Sequence, residues 1–335
     1  MSLRSTPRRK PANFAMAFRI LVVRLGAMGD IVHTLPAVAT LRQSFPQARL
    51  TWLIEPRWSS LLEGNPDVDE VAFFDRAGGL PGMWRSARAL RSRRFDLGID
   101  FQGLIKSSAA LWQAGARRRW GRQDPRERLA AWFYTGRAQV ADGAHIVDQH
   151  LELARAVGAD KKRVAFPLPP GQPEGSLPEM GRFVLASPLA GWASKQWPLE
   201  NYGELAKLLD REWRMPLVLN VPPAEAASVA ARAQGPVSIH ISGIPGLIHA
   251  TRQAAAVVGV DSGPLHLAAA LAKPGVAVFG PTDPARNGPY GVTLTVLRAS
   301  GAATTYRREN EYAASMRSIT PAMVFEGLRA QQIIS

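Results

Sequence analysis

Cysteine is absent from this chain. Its absence excludes disulfides, thiolate metal sites and any mechanism built on a thiol nucleophile, and it agrees with a cytoplasmic setting. No apolar run approaches the roughly 20 residues needed to span a bilayer. Residues 1–19 are basic but lack the apolar core and small-residue cleavage site of a secretory signal. The G-x-G-x-x-G spacing of a dinucleotide turn is missing, as is the Lys-Ser/Thr pair of a P-loop. Nor is there a zinc-finger or RNP-type signature, so the expected partners do not include nucleic acid.

What is present is positive charge on a globular composition. The 335 residues suffice for two domains of ordinary size, 46% are hydrophobic, and the formal net charge is +14. Arginines cluster at Arg85, Arg88, Arg91, Arg93 and Arg94, and again at Arg117–Arg119, Arg122, Arg126 and Arg128. Such clusters suit anionic lipid or a phosphorylated substrate, although an arginine-rich coding bias also produces them.

The pattern along the chain alternates strand and helix twice. Residues 1–17 read as a basic, disordered tail. "FRILVVRL" is apolar without alternation, the mark of a strand buried on both faces. Ile31, Leu35 and Val38 follow at helical spacing, and "RLTWLIEP", "EVAFFD" and "DLGIDFQG" read as further strands. A helix from Ile146 closes at Gly158. The Pro/Gly-rich stretch 166–180 reads as a linker between a first domain, 18–165, and a second, 181–318. In the second, "RFVLASPLA", "PLVLNV", "AAVVGVD" and "GVAVFGP" are strands, separated by helices such as "PLENYGELAKLLDRE" and "SGPLHLAAALAKP". Thr320 and Pro321 cap a last helix in 319–335, which is expected to pack back on the first domain. The fold class is therefore α/β, two Rossmann-like doubly wound domains facing a central cleft.

Four places carry candidate chemistry. In "RLGAMGDIVHTLP", Asp30 stands in the first turn of a helix that follows the first strand. It serves there as an N-terminal cap, as a general base at the cleft, or as both. In "GVDSGPLHLAAALAKPGVAVFGPTDP", Asp261 ends a strand, Ser262 and Gly263 open a helix with free N–H groups, and Thr282 tips the next strand. His266, one turn into that helix, is either a core histidine or a ligand contact. In "LAGWASKQWP", Lys195 is a solvated lysine or the cation that neutralises a departing diphosphate. Glu225, after "LNVPP", charges the first turn of its helix or accepts a hydrogen bond from a ribose hydroxyl.

Together, "RLGAMGDIVHTLPAVATLRQSFPQARLTWLIEP", "DFQGLIKSSAAL", "SKQWP", "VDSGPLHLAAAL" and "FGPTDP" resemble the family-nine glycosyltransferases. The matching blocks run in order from about Phe18 to Pro284. The resemblance implies a GT-B architecture, with acceptor on the first domain and nucleotide sugar on the second. It implies inverting transfer of L-glycero-D-manno-heptose from ADP-heptose to the first Kdo (3-deoxy-D-manno-octulosonic acid) of Kdo2–lipid A. By the same resemblance Asp30 is the catalytic base. Ser194, Lys195, Glu225, Asp261, Ser262, Gly263, His266 and Thr282 bind the donor. Gly29, Arg85, Arg88, Gln102, Lys106, Arg119 and Arg122 face the acceptor. No cofactor and no metal are expected. The chain is expected to act as a monomer, peripheral at the anionic inner face of the cytoplasmic membrane.

Several residues depart from the family pattern. The loop before Lys195 reads "GWAS", with Ser194 the nearest hydroxyl, and Pro222–Pro223 replace glycine before Glu225. Heptosyltransferases acting on different acceptors share most of these blocks, so a different family-nine acceptor stays open. So does a nucleotide- or lipid-binding protein without turnover. A dehydrogenase fits less well, lacking both the glycine spacing and a ribose-binding acid about 20 residues on.

Overall fold

The computed structural model describes residues 18–178, 182–305 and 307–333, so the tail expected at 1–17 lies outside the described residues, as do residues 179 and 180 of the expected linker. The chain folds as two halves built on one plan. The first comprises β1 (Arg19–Val23), α1 (Met28–Ser44), β2 (Arg49–Ile54), β3 (Glu70–Phe73), α2 (Gly79–Ala89), β4 (Leu97–Asp100), α3 (Ile105–Gln113), β5 (Arg118–Arg122), β6 (Gly136–Ala138) and α4 (Ile146–Ala156). The second comprises β7 (Val184–Ser187), α5 (Leu199–Trp213), β8 (Leu217–Val221), α6 (Ala226–Ala233), β9 (Val237–Ile241), α7 (Ile244–Gln253), β10 (Ala256–Val260), α8 (Gly263–Ala270), β11 (Gly275–Phe279), α9 (Pro284–Asn287), β12 (Leu294–Arg298), α10 (Ala314–Arg317) and α11 (Pro321–Ala330).

The sheets run β3-β2-β1-β4-β5-β6 and β12-β11-β10-β7-β8-β9, with parallel pairing throughout. Counted from the start of each half, both orders are 3-2-1-4-5-6. Each sheet therefore reverses direction between its first and fourth strands, and a crevice opens there at the carboxyl ends.

Alternate residues of β1 explain its unbroken apolar sequence. Ile20 and Val22 pack with Ile31, Leu35 and Leu41 of α1 and Leu153 of α4. Leu21 and Val23 pack on the opposite face with Ala87 of α2 and with Ala110 and Leu111 of α3. Helix α1 is itself buried from Ile31 through Leu41, because it lies between its own sheet, α4 and α8 of the second half. Helix α5 buries one stripe: Leu199, Tyr202, Leu205, Ala206 and Leu209.

Three features differ from the sequence reading. Strands β5, β6, β9 and β12 were not legible, since "RRWGR", "GRA", "VSIHI" and "LTVLR" are short and carry no continuous apolar run. The segment after Phe166 is no free tether. The Arg252 guanidinium donates to the Leu168 and Pro169 carbonyls at 2.9 Å, and the Gly243 N–H donates to the Glu174 carboxylate at 2.8 Å. Helix α11 is capped by Thr320 as expected, with the Met323 N–H donating to its Oγ1 at 3.3 Å. It does not return to the first half, however. Val324, Phe325 and Leu328 bury against α5 and the second sheet, where Phe325 meets Trp213 at 4.8 Å between ring centroids.

The halves meet where the first turns of α1 and α8 abut. A Cβ at Gly29 would lie 2.5 Å from His266 Cδ2, and one at Gly263 would lie 2.7 Å from Met28 Cβ. Neither glycine has a positive φ, so close approach rather than backbone freedom demands them. Gly29→Ala is therefore expected to destabilise the fold by about 1–3 kcal/mol, the usual cost of overpacking. Urea denaturation checks this. A parent-like midpoint would mean that the His266 ring swings aside freely.

Candidate active site

The second sheet's crevice lies between β7 and β10, which pair directly. The chain leaving β7 makes a 3-10 turn at Ala193–Lys195, and the chain leaving β10 begins with Asp261. Lys195 Nζ sits 2.6 Å from Asp261 Oδ2, so one ion pair straddles the point where strand order reverses. From α8, His266 Nε2 approaches Asp261 Oδ1 at 3.5 Å. Burial by itself would raise the Asp261 carboxyl, but the hydrogen bond from His266 and the charge of Lys195 outweigh it and hold it at about 2.

Around this pair lie hydroxyls that the protein leaves unused. The oxygens of Ser194, Ser262 and Thr282 are buried without a hydrogen-bond partner among the described residues, as is His266 Nδ1. Ser262 even occupies the N-cap position of α8 without capping it. Buried polar atoms are rarely left unpaired without a reason. Three hydroxyls, one ammonium and the free N–H groups of a helix start form a donor set for an anion with several oxygens. Glu225 is exposed at the end of the 3-10 turn Pro223–Glu225, beyond the carboxyl end of the neighbouring β8.

Sequence reading missed two residues here. The Trp192 ring carries Lys195 Nζ at 4.4 Å and the Arg308 guanidinium at 5.3 Å. Arg308 comes from the segment after β12, which returns to this loop: the Ser194 N–H donates to the Glu309 carbonyl at 3.3 Å. The Trp of "GWAS" was the only available signal.

On the first half, Asp30 is the third residue of α1. Its Oδ2 accepts the Ala27 N–H at 3.3 Å, closing the first turn, and its Oδ1 pairs with Arg24 Nη2 at 2.5 Å. The Asp30 side chain is still 41% exposed, whereas that of Arg24 is 6% exposed. Arg24 also donates to the Phe101 carbonyl, and Trp52 Nε1 donates to the Arg24 carbonyl at 3.0 Å. The Asp30 carboxylate thus caps its own first turn and keeps part of its surface open to solvent. Arg24, which the motif reading passed over, fixes the carboxylate's orientation.

The other residues assigned to the acceptor separate into two groups. Gln102 Oε1 accepts the Leu25 N–H at 2.8 Å, bridging β1 and β4 beside Asp30. Buried Asp100 anchors that loop, accepting from the Gln102 N–H at 2.8 Å, Ser107 Oγ at 2.9 Å and Tyr134 Oη at 2.7 Å. Lys106 lies in the first turn of α3, 3.8 Å from Glu55, with its ammonium pushed below the usual range by burial and then by Arg76. Arg122 ends β5, donates to Gln149, and is lowered by burial and by Arg286 of the second half. Gly29, Gln102, Lys106 and Arg122 therefore share the edge that carries Asp30.

Arg85, Arg88 and Arg119 do not. Helix α2 runs back from the carboxyl edge of the sheet, carrying Arg85 and Arg88 away from Asp30. Arg119 pairs with Gly98 near the amino end of β4 and spends its guanidinium on the Ala116 and Phe133 carbonyls. Arg88 and Arg119 line a separate cavity of about 400 Å³ with Trp84, Arg91 and Trp112. Grouping arginines by sequence cannot see the direction in which a βα unit carries them.

Four histidines mark the junction of the halves. The His33 ring lies 4.2 Å from that of His266 and 5.5 Å from that of His145. His145 Nε2 is 3.0 Å from the Gly288 carbonyl across the cleft, and His150 Nδ1 is 3.3 Å from Thr34 Oγ1. Burial lowers His33, His145 and His150, the last to about 3; neighbouring histidines add to this at His33, and Arg24 at His150. Among the described residues no group of three or more His, Cys, Asp or Glu side chains suits a metal ion.

Comparison with known proteins gives this geometry a context. The profile of glycosyltransferase family 9 (heptosyltransferase) matches residues 83–315. Lipopolysaccharide heptosyltransferase 1 of Escherichia coli O18:K1:H7 is 30% identical over 309 residues, covering 84% of this chain and 92% of the relative. The E. coli heptosyltransferase WaaC solved with ADP superposes with a TM-score of 0.76 at 26% identity, over 94% of this chain and 100% of that one. WaaC with ADP-2-deoxy-2-fluoro heptose gives 0.74, again at 26% identity, over 93% and 99%. The paired six-stranded sheets are the GT-B arrangement of these enzymes.

The buried histidines predict a pH dependence with a definite sign. Their folded-state values lie below the unfolded value near 6.5, so below about pH 6.5 the unfolded chain binds more protons. Stability is then complete above that pH and falls as acidity rises, by up to about 1.4 kcal/mol per pH unit for each histidine. The stability from Asp261, held at about 2, is present above about pH 4 and is lost as the pH falls further toward 2. Thermal melts between about pH 7.5 and 5 should show the fall, and His150→Gln should flatten it. An unchanged slope in that variant would remove His150 from the account.

Proposed function

The chain belongs to glycosyltransferase family 9 and is a glycosyltransferase, and on that premise we propose that it transfers L-glycero-D-manno-heptose from ADP-heptose to a Kdo residue of Kdo2–lipid A with inversion. The observation that carries the reading is the set of unpartnered buried hydroxyls of Ser194, Ser262 and Thr282 around Lys195, across the cleft from Asp30. Inverting transfer needs two things, a base for the acceptor hydroxyl and stabilisation of a diphosphate leaving group.

Asp30 supplies the first. Arg24 occupies its Oδ1, while Oδ2 has a single long backbone contact and takes the proton as the acceptor oxygen attacks the anomeric carbon. The bond from that carbon to the diphosphate breaks on the opposite side. Lys195 and the start of α8 take up the charge, with the three hydroxyls donating to phosphate oxygens. Asp261 and His266 act behind Lys195, holding its ammonium in place. Glu225 accepts from a ribose hydroxyl of the donor. Lys106 and Arg122, on the Asp30 edge, suit the carboxylate of the Kdo acceptor.

The scheme uses no cofactor or metal and needs only one copy of the chain. Its acceptor is a lipid, so we place the protein at the cytoplasmic face of the inner membrane; no helix among the described residues is long and apolar enough to cross it.

Mass spectrometry of the product formed from ADP-heptose and Kdo2–lipid A tests the assignment, and transfer only to a heptosylated core would move the chain to a different acceptor. Asp30→Asn should keep ADP affinity and lose about 10²–10⁴-fold in turnover. Near-parent rates would leave Asp30 a cap alone. Lys195→Ala should weaken ADP binding by about tenfold or more, the worth of one charge-assisted hydrogen bond. Calorimetry with ADP gives the value, and an unchanged affinity and rate would take Lys195 out of the site.

A further inference from the structure

The outer surface of the first half carries apolar residues that the active site does not use. Half of the twelve large hydrophobic residues exposed among the described residues lie on α2, α3 and the 3-10 turn Arg128–Phe133: Leu80, Trp84, Ile105, Trp112, Leu129 and Trp132. Leu80 and Trp132 are about four-fifths exposed, at 80% and 79%. These elements form one continuous surface. The Trp84 and Trp112 rings are 6.3 Å apart between centroids, and Trp112 lies 6.1 Å from Phe133. They cover the face of the first sheet opposite α1 and α4, so the second half does not shield them.

The charge on this surface is predominantly positive. Along α2 the exposed stripe reads Leu80, Trp84, Arg88 and then Arg91 just beyond the helix, a helical spacing that puts apolar and cationic groups side by side. Arg85, Arg88, Arg91, Arg126 and Arg128 are exposed and form no ion pair among the described residues. They outnumber the acids beside them, and neither of these pairs with an arginine: Asp75 accepts the Gly78 N–H at 2.8 Å and Glu127 the Ile105 N–H at 2.7 Å. Exposed apolar patches mark interaction sites, and tryptophan beside unpaired arginine is the chemistry of a lipid headgroup boundary.

We propose that the α2–α3 surface, with the turn Arg128–Phe133, is the face by which this protein docks on an anionic bilayer, its tryptophans entering the headgroup layer and its arginines meeting lipid phosphates. An excess of unpaired arginine complements a negatively charged surface, and the scattered aromatic side chains suit a fluid boundary better than a fitted protein pocket. The placement also serves the site. Leu80, Ile105 and Leu129 lie toward the carboxyl edge of the sheet that carries Asp30, so a docked molecule presents its acceptor cleft along the membrane. That advantage rests on a lipid-linked acceptor; the docking itself does not.

Flotation of the full chain with vesicles tests this. The vesicles are phosphatidylcholine, with or without phosphatidylglycerol, and contain no Kdo2–lipid A, so the result is independent of the acceptor assignment. The parent should bind only the anionic vesicles, and brominated acyl chains should quench its tryptophan fluorescence. Raised salt should weaken binding without abolishing it, since part of the contact is apolar. Leu80→Ser with Trp132→Ser, both at highly exposed positions, should lose about tenfold or more in vesicle affinity while keeping the parent melting temperature and ADP affinity. Arg88→Gln with Arg91→Gln should lose about fivefold for each charge. Parent-like binding by both double variants would overturn the proposal and assign any binding to another part of the chain. Concentration-dependent dimerisation without vesicles, lost in the Leu80/Trp132 variant, would overturn it in favour of a second copy as the partner.

Discussion

Two helix starts from different domains touch, and the positions of the candidate catalytic groups depend on how closely they do so. Helices that carry side chains at a contact cannot approach as α1 and α8 do here, because Gly29 and Gly263 leave the two first turns bare. Asp30 stands one residue beyond Gly29, and Ser262 one residue before Gly263. The contact therefore sets a carboxylate of the first half opposite the Ser262–Gly263 helix start of the second. His33 and His266 continue the same junction one turn deeper, ring against ring. A single packing constraint thus governs both the domain interface and the spacing between Asp30 and the Ser262–Gly263 helix start.

The two carboxylates at this junction differ in environment, and the proposed scheme divides its roles along that difference. Asp261 is buried and held at about 2, against the pull of burial, by His266 and Lys195. A carboxylate so engaged is a poor proton acceptor but a good anchor for an ammonium. Asp30 is partly open to the cleft and has one oxygen free of strong partners. In the proposed scheme the pair Lys195–Asp261 also keeps a lysine charged in a buried crevice before an anionic substrate arrives. Its counter-ion is already present, and the nearby unpaired hydroxyls offer a phosphate the contacts that the carboxylate cannot.

The arginines show the same kind of division at larger scale. Arg24 and Arg119 spend their guanidinium groups inside the protein, Arg122 faces the second half, and the α2 arginines face outward without partners. Net charge counts all of them equally. Only their direction relative to the sheet distinguishes a structural clamp from a cleft residue or a surface contact.

What the sequence determined by itself was local and periodic. The unbroken apolar strands, the Asp30 turn, the Thr320–Pro321 cap and the Ser262–Gly263 helix start are set by neighbours a few residues apart, so both doubly wound halves and the strand-end positions of Asp261 and Ser262 were legible. The β5, β6, β9 and β12 strands were not, because short strands with polar residues gain their pairing from partners distant in sequence. The tertiary structure alone decided that Arg24 orients Asp30, that Arg308 reaches Trp192, that Arg85, Arg88 and Arg119 lie away from the edge that carries Asp30, and that α11 stays with the second half. Each depends on distance across the fold, and a local pattern carries no information about which remote surface a side chain will meet.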